Sequence, residues 1–158
     1  MKVKGNYKKK ILNILIDSGS THNFLDAGMV KGMNLITVPI PPVKVVVADG
    51  RSILCSRRLQ QFAWVEQEHD FIADFYVINL WGCEMVPGVK WLAQLGDITW
   101  NFQRSMMRFT WENETVLLQR NQGMTGSQLL QMSPAKVVTQ MCNCQCLLAV
   151  GYGDSMKD

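Results

Sequence analysis

Short apolar runs separated by turn residues dominate the chain from its start to about residue 111, and runs of that length predict strands of a barrel or of two packed sheets. Val3 leads to Gly5-Asn6, a hairpin-type turn, after which Ile11-Leu12-Asn13-Ile14-Leu15-Ile16 forms an apolar strand that ends at Asp17. Beyond the turn from Ser18 to Thr21, residues Asn23 to Gly32 predict a helical turn with Phe24, Leu25 and Met29 on one side. Pro39, Pro41 and Pro42 enforce extended chain, and Val43 to Ala48 and Ser52 to Cys55 flank Asp49-Gly50 as a hairpin.

A second strand pair, Phe62 to Val65 and Phe71 to Ile78, is expected around the polar residues 66–70, with Ala63, Val65, Ile72, Phe75 and Val77 inward. Val89 to Leu95, after Pro87-Gly88, predicts a short helix that stops at Gly96. Ile98 to Phe102, Ser105 to Trp111 and Thr115 to Leu118 read as strands that close the domain, with a turn at Asn113-Glu114. The fold class is therefore mostly β, with one domain over residues 1–119. Residues 120–158, rich in polar residues and Gly apart from an apolar patch around Leu147 to Val150, read as a linker or tail.

Composition narrows the function classes. The 158 residues are 47% hydrophobic, enough for one buried core. Sixteen Lys plus Arg against thirteen Asp plus Glu leave +3, too mild and scattered for a nucleic-acid surface. Lys8-Lys9-Lys10 reads as a solvated hairpin edge, and the five tryptophans as core or interface packing. No apolar run approaches the roughly 18 residues of a membrane span, and the basic start lacks a secretory cleavage pattern, so a cytoplasmic location is expected. Five cysteines, three of them crowded at Cys142, Cys144 and Cys146, suggest no disulfide framework and read as ordinary thiols. His22 and His69 are the only histidines, so no zinc set is expected and His22 reads as a loop hydrogen-bonding residue.

Asp17 remains the strongest chemical candidate. Two facing carboxylates, one ionised to activate water and one protonated to donate, can hydrolyse a peptide without metal or covalent nucleophile. Ser18 can hydrogen-bond a neighbouring group, Gly19 permits a tight turn, and Ser20 or Thr21 can brace the loop. Ile14 to Leu25, then Val47-Ala48-Asp49-Gly50, then Val86-Pro87-Gly88 and Trp91-Leu92 follow one another in an order that resembles retroviral-type (retropepsin-like) aspartic proteases. More closely, Ile14 to Leu25 resembles the protease region of plant gypsy-type retrotransposon polyproteins, a resemblance that covers about residues 1–120, with the tail resembling the connector toward reverse transcriptase.

That resemblance implies an acid-protease half-barrel with Asp17 as the catalytic carboxylate and Ser18, Gly19, Ser20 and Thr21 as its supporting loop. It implies Ala48, Asp49 and Gly50 as a substrate-covering flap, Val86, Pro87 and Gly88 as scaffold beside the site, and neither metal nor cofactor. Only one such triplet occurs, so a homodimer is expected to complete the site and to act on a polyprotein peptide, within the cytoplasm or retrotransposon particles. The alternative is an inactive protease-like module for dimerisation or peptide binding. Two departures favour that alternative. Pro87 stands where the family has an aliphatic residue, which predicts a lost hydrogen bond or shifted strand, and Met1 falls close to the first strand, which suggests a polyprotein fragment without an upstream interface strand. Glu84, where Asp is frequent, is a milder change.

Overall fold

The computed structural model describes residues 1–47 and 49–120, together with the backbone of Leu147–Val150. Strands β1 (Lys2–Tyr7), β2 (Lys10–Leu15) and β3 (Phe24–Asp26) precede helix α1 (Ala27–Gly32). Strands β4 (Val38–Val47), β5 (Ser52–Glu66), β6 (His69–Ile78) and β7 (Met85–Val86) lead to helix α2 (Val89–Leu92), which tightens into a 3-10 turn at Ala93–Leu95. Strands β8 (Thr99–Asn101), β9 (Met106–Trp111), β10 (Glu114–Gln119) and β11 (Leu147–Val150) follow. The mostly β expectation holds, and the helix after Pro87-Gly88 ends at Gly96, whose φ of 71° suits glycine.

The larger sheet has the order β1-β2-β7-β3-β6-β5-β4-β11, and a bridge between Asn6 and Val65 joins β1 to β5 and closes it into a barrel. Gly5 makes that closure possible. A Cβ there would stand 2.5 Å from Ile14 Cδ1 and 3.0 Å from the Val65 carbonyl, so Gly5 lies inside β1 rather than in the expected turn. The turn falls at Lys8-Lys9, with Lys8 at a φ of 52°, which places the lysine run at a hairpin end.

Strands β8 to β10, expected to close the domain, do so as a separate three-stranded sheet in the order β10-β9-β8. Its turn lies at Glu112-Asn113, both with positive φ, one residue earlier than expected. Met107, Phe109, Val116 and Leu118 press its inner face onto the barrel core. Residues 23–32 also divide differently. Phe24–Asp26 pair with β6 and β7 as a strand, and the Asp26 side chain accepts the Met29 N–H to start α1.

The expected inward faces of β5 and β6 hold at Phe75 and in part at Val65 and Val77, which are half-buried with Val77 against the core, and are corrected at Ala63 and Ile72, which are exposed. Phe62, Trp64 and Glu66 are buried on β5, and Phe71, Ala73 and Phe75 on β6, whereas Ile72 is 50% exposed. A register shift between Leu59 and Phe62, with Gln61 at a φ of 50°, inserts a bulge that moves the alternation onto the other face. Trp64 thereby meets Trp91 of α2 with ring centroids 5.8 Å apart, and Phe71 lies 5.4 Å from Trp91 and 6.1 Å from Phe109. These aromatic contacts tie barrel, helix and small sheet into one core, each pair contributing about 0.5–1.5 kcal/mol beyond burial. Among the described residues no helix is long and apolar enough to cross a membrane.

Glu66 carries a carboxyl into this core. It is fully buried; Trp64 Nε1 donates to its Oε2 at 3.2 Å, while Oε1 and the indole N–H of Trp91 have no partner among the described residues. Burial, opposed by the Trp64 bond, raises its pKa from 4.5 to about 7. The folded state therefore holds a proton that the unfolded chain releases above about 4.5. Stability is greatest below that value, falls as pH rises through the window to about 7, and levels off above it. The loss is on the order of 3 kcal/mol. Urea midpoints at about pH 5 and about pH 8 check the sign, and Glu66→Gln, which keeps an acceptor for Trp64 without a titrating proton, is expected to flatten the difference. An unchanged slope in that variant assigns the effect elsewhere.

Candidate active site

Three strand ends converge on Asp17. Strand β7 lies parallel to β2 through Ile14 and Met85 and antiparallel to β3 through Phe24 and Val86, so the residues after β2 and after β7 emerge side by side. The Asp17 N–H donates to the Pro87 carbonyl at 3.1 Å. On the other side, Ile16 donates its N–H to the Met1 carbonyl at 2.9 Å and receives the Met1 amino group on its own carbonyl at 2.8 Å. The backbone leading into Asp17 is thus held on both sides.

The loop is tied internally as well. Gly19 N–H donates to Asp17 Oδ1 at 2.9 Å, and Ser20 N–H to the Asp17 carbonyl at 3.2 Å. The buried Ser20 hydroxyl donates to the His22 carbonyl at 2.9 Å, and its own carbonyl accepts the Val89 N–H at 2.8 Å, linking the loop to α2. Asp17 is half-buried, while Ser18 and Gly19 are exposed. The result is a carboxylate oriented by a rigid turn yet reachable from outside, which suits proton exchange with a bound water or peptide.

Gly88 explains why this loop and helix can lie so close. A Cβ there would be 2.3 Å from the His22 carbonyl oxygen and 2.5 Å from that of Ser20. Pro87 behaves differently from the expectation attached to it. Val86 and Met85 keep their pairing with Phe24 and Leu25, the missing N–H falls just beyond the strand, and the bond to Asp17 uses the Pro87 carbonyl, which proline retains. The Asp17 N–H thus has its acceptor on Pro87 itself.

Asn23, Asp26 and Glu84 carry support that the sequence reading left unassigned. Buried Asn23 accepts the N–H groups of Gly88 at 2.9 Å and Trp91 at 3.3 Å through Oδ1, capping α2 from a distant strand, and donates to the Asp74 carbonyl at 3.1 Å. Asp26 accepts the Leu80 N–H at 2.9 Å and the Met29 N–H at 3.0 Å. Glu84 accepts the Asn13 N–H at 2.7 Å and returns its own N–H to the Asn13 carbonyl at 2.9 Å, stitching the segment before β7 to β2. An Asp directly before Ala27–Gly32 was a readable cap signal; the roles of Asn23 and Glu84 depend on pairings distant in sequence.

His22 sits beside the loop with Nδ1 2.9 Å from Thr21 Oγ1 and its ring stacked on Tyr76 at 5.1 Å. Burial, and then the Lys90 charge, lower its pKa and favour the neutral ring. An open groove of about 490 Å³ begins here, lined by Asn23, Arg58, Asp74, Tyr76 and Lys90 among others. The described residues contain no cluster of three His, Cys, Asp or Glu placed to hold a metal ion. Cys142, Cys144 and Cys146 lie outside the described residues.

The expected flap is a hairpin of β4 and β5. Val47 N–H donates to the Arg51 carbonyl and Gly50 N–H to the Val47 carbonyl, both at 2.9 Å, with Gly50 at a φ of 85°. Asp49 accepts the Arg51 N–H at 3.0 Å and pairs with its guanidinium; the backbone bond first, then the side chain, lower its pKa. Arg51 also lies over the Trp81 ring, 5.8 Å from its centroid. Ala48 lies outside the described residues. Below the tip, Val45 and Val47 pack in one cluster with Leu15, Phe24 and Val86, so the hairpin base rests on the strands that carry Asp17 and Pro87.

A closed β-barrel with an Asp-Ser-Gly loop braced by Pro-Gly at a helix start is a protein of retroviral-protease-like fold. The chain belongs to the family described as the PEG10/RTL1 protease domain, whose model matches residues 13–121. Among solved structures it is similar to the retroviral protease-like domain of Ddi1 from Leishmania major. The two are 15% identical with a TM-score of 0.55, over 79% of this chain and 97% of that one, a likeness of fold alone. The comparison with curated proteins gave no match.

Two substitutions check the framework. Gly88→Ala is expected to destabilise the fold by about 1–3 kcal/mol through forced separation of loop and helix. Asn23→Ala leaves the buried Gly88 N–H without its acceptor, while the Trp91 N–H keeps the Gly88 carbonyl at 3.1 Å, and is expected to lower stability by about 1–3 kcal/mol. Denaturant unfolding measures both, and wild-type midpoints would contradict the bracing described.

Proposed function

We propose that this chain is an aspartic endopeptidase that works as a homodimer and cleaves internal peptide bonds of a polyprotein. The observation that carries the reading is Asp17, oriented by Gly19 and anchored to Pro87, within the residues that the protease-family model matches. A single chain supplies one Asp-Ser-Gly triplet, and the chemistry needs two carboxylates. In a two-fold dimer the Asp17 residues of both copies face one another across an isologous interface. Like charges at such separation cannot both ionise, so the pair shares a proton: the ionised member draws a proton from water while the other donates to the scissile carbonyl.

The hairpins around Asp49-Gly50 would cover an extended peptide, holding it by main-chain hydrogen bonds in the manner of an added strand. Resemblance to plant gypsy-type elements supports a retrotransposon polyprotein as the substrate, with the cytoplasm or the element's particles as the place of action. Residues 1–119 form the protease unit in this reading, and residues 120–158 the connector.

Cleavage of an unfolded polypeptide at mildly acidic pH is the direct test. Asp17→Asn is expected to lower the rate by on the order of a thousandfold, and a pepstatin-type inhibitor to block the wild type. Activity per chain should fall on dilution as the dimer dissociates. Equal cleavage by Asp17→Asn sinks the mechanism; peptide binding without cleavage by the wild type would mark a protease-like binding module instead.

A further inference from the structure

We propose that the groove between α2 and the outer face of β5 and β6 docks an acidic segment of a partner polypeptide. A carboxylate of that segment meets Arg58 and Lys90, and an aliphatic side chain meets Ile72. The groove holds about 490 Å³, within the range of ordinary ligand sites, and neither Asp17 nor the hairpin around Asp49-Gly50 lines it. Asn23 holds its two walls together. Its side chain accepts the Gly88 and Trp91 N–H groups at the start of α2 and donates to the Asp74 carbonyl of β6.

Charge selects the ligand. Arg58 and Lys90 both line the groove, and among the described residues the one ion pair joins Arg51 to Asp49, so neither groove cation has a carboxylate partner. Arg58 is half-buried, with its Nε enclosed and without a hydrogen-bond acceptor. A guanidinium so placed has given up water without compensation and gains strongly from an anion brought to its remaining exposed part. Asp74 is a single carboxylate against these two cations, and its Oδ1 is engaged by the Gln61 N–H at 2.8 Å in the β5 bulge.

Register sets the length of the occupant. Arg58 stands opposite Tyr76, and Ile72, 50% exposed, lies four residues earlier on the same face of β6. Strand rise makes that separation about 13 Å, too long for one small anion and suited to two side chains of a polypeptide. The main chain of β6 at Tyr76 is already paired with β5 on one side and β3 on the other, so side chains rather than an added strand make the contact. This docking does not rest on the proteolytic reading.

The test uses the full-length chain carrying Asp17→Asn, so that binding is read without cleavage. The probe is a fluorescent peptide with a glutamate and, four positions on, a leucine, followed by anisotropy. Lys90→Gln, at an exposed position that leaves the thermal midpoint unchanged, is expected to weaken binding about threefold, and Arg58→Gln about tenfold. Asp74→Asn keeps an acceptor for Gln61 while removing the repelling charge, and is expected to tighten binding about threefold. Absence of binding to the parent chain, undiminished binding in Lys90→Gln and Arg58→Gln, or equal binding of a peptide with glutamine for glutamate overturns the proposal. A single-stranded oligonucleotide that displaces the peptide through the same two cations overturns it as well, because the groove would then read phosphate instead of an acidic polypeptide.

Discussion

The hydrogen bond from Asp17 to the Pro87 carbonyl depends on a parallel pairing of β2 with β7, residues about seventy positions apart in the chain. Much of what ties the Asp17 loop to the rest of the molecule passes through this junction. Gly88 lets the helix start approach the Ser20 and His22 carbonyls, Val89 bonds to Ser20, and Asn23 reaches across to cap the same helix. A buried polar crossing of this kind holds only if each donor finds its acceptor, since an unpaired buried amide costs about 1–3 kcal/mol. Pro87 fits because its carbonyl, rather than its missing N–H, is the group in use.

Around that junction the core is unusually aromatic on one side and aliphatic on the other. Trp64, Phe71, Trp91 and Phe109 bind the small sheet and α2 to the barrel, while Val45, Val47, Leu15 and Val86 join the hairpin to the loop strands. The first cluster encloses Glu66, whose raised pKa makes the fold more stable toward acid, and the neutral-favouring His22 pulls the other way. The two groups respond over overlapping ranges: Glu66 weakens the fold as pH rises from 4.5, and His22 weakens it as pH falls below 6.5.

Strand β4, between β5 and β11, shows how two residue types divide one strand. Its prolines, Pro39, Pro41 and Pro42, coincide with a register shift between Pro39 and Val43, where pairing with β5 is interrupted. Beyond it the three valines restore a regular ladder toward the tip. The hairpin is thus ordered at its base by packing and at its turn by Asp49, Gly50 and Arg51, and the segment between them pairs on its outer side with β11.

Local chemistry made much of this protein readable. An apolar run ending in Asp17-Ser18-Gly19, an Asp-Gly hairpin, and Pro87-Gly88 before a helix each carry their meaning within a few residues, because dihedral limits and turn preferences are short-range. The mostly β class, the hairpin and the short helix were legible for that reason. Closure of the barrel at Gly5, the inward face of β5 and β6, the separate sheet of β8 to β10 and the cap from Asn23 were not. A bulge at Gln61 reverses a whole strand face, and a side chain's partner across the barrel leaves no periodic trace in sequence. The residues by themselves singled out Asp17 as the candidate for the chemistry; only the pairing of β2, β7 and β3 decided what holds it in place, because those contacts exist only when distant strands meet.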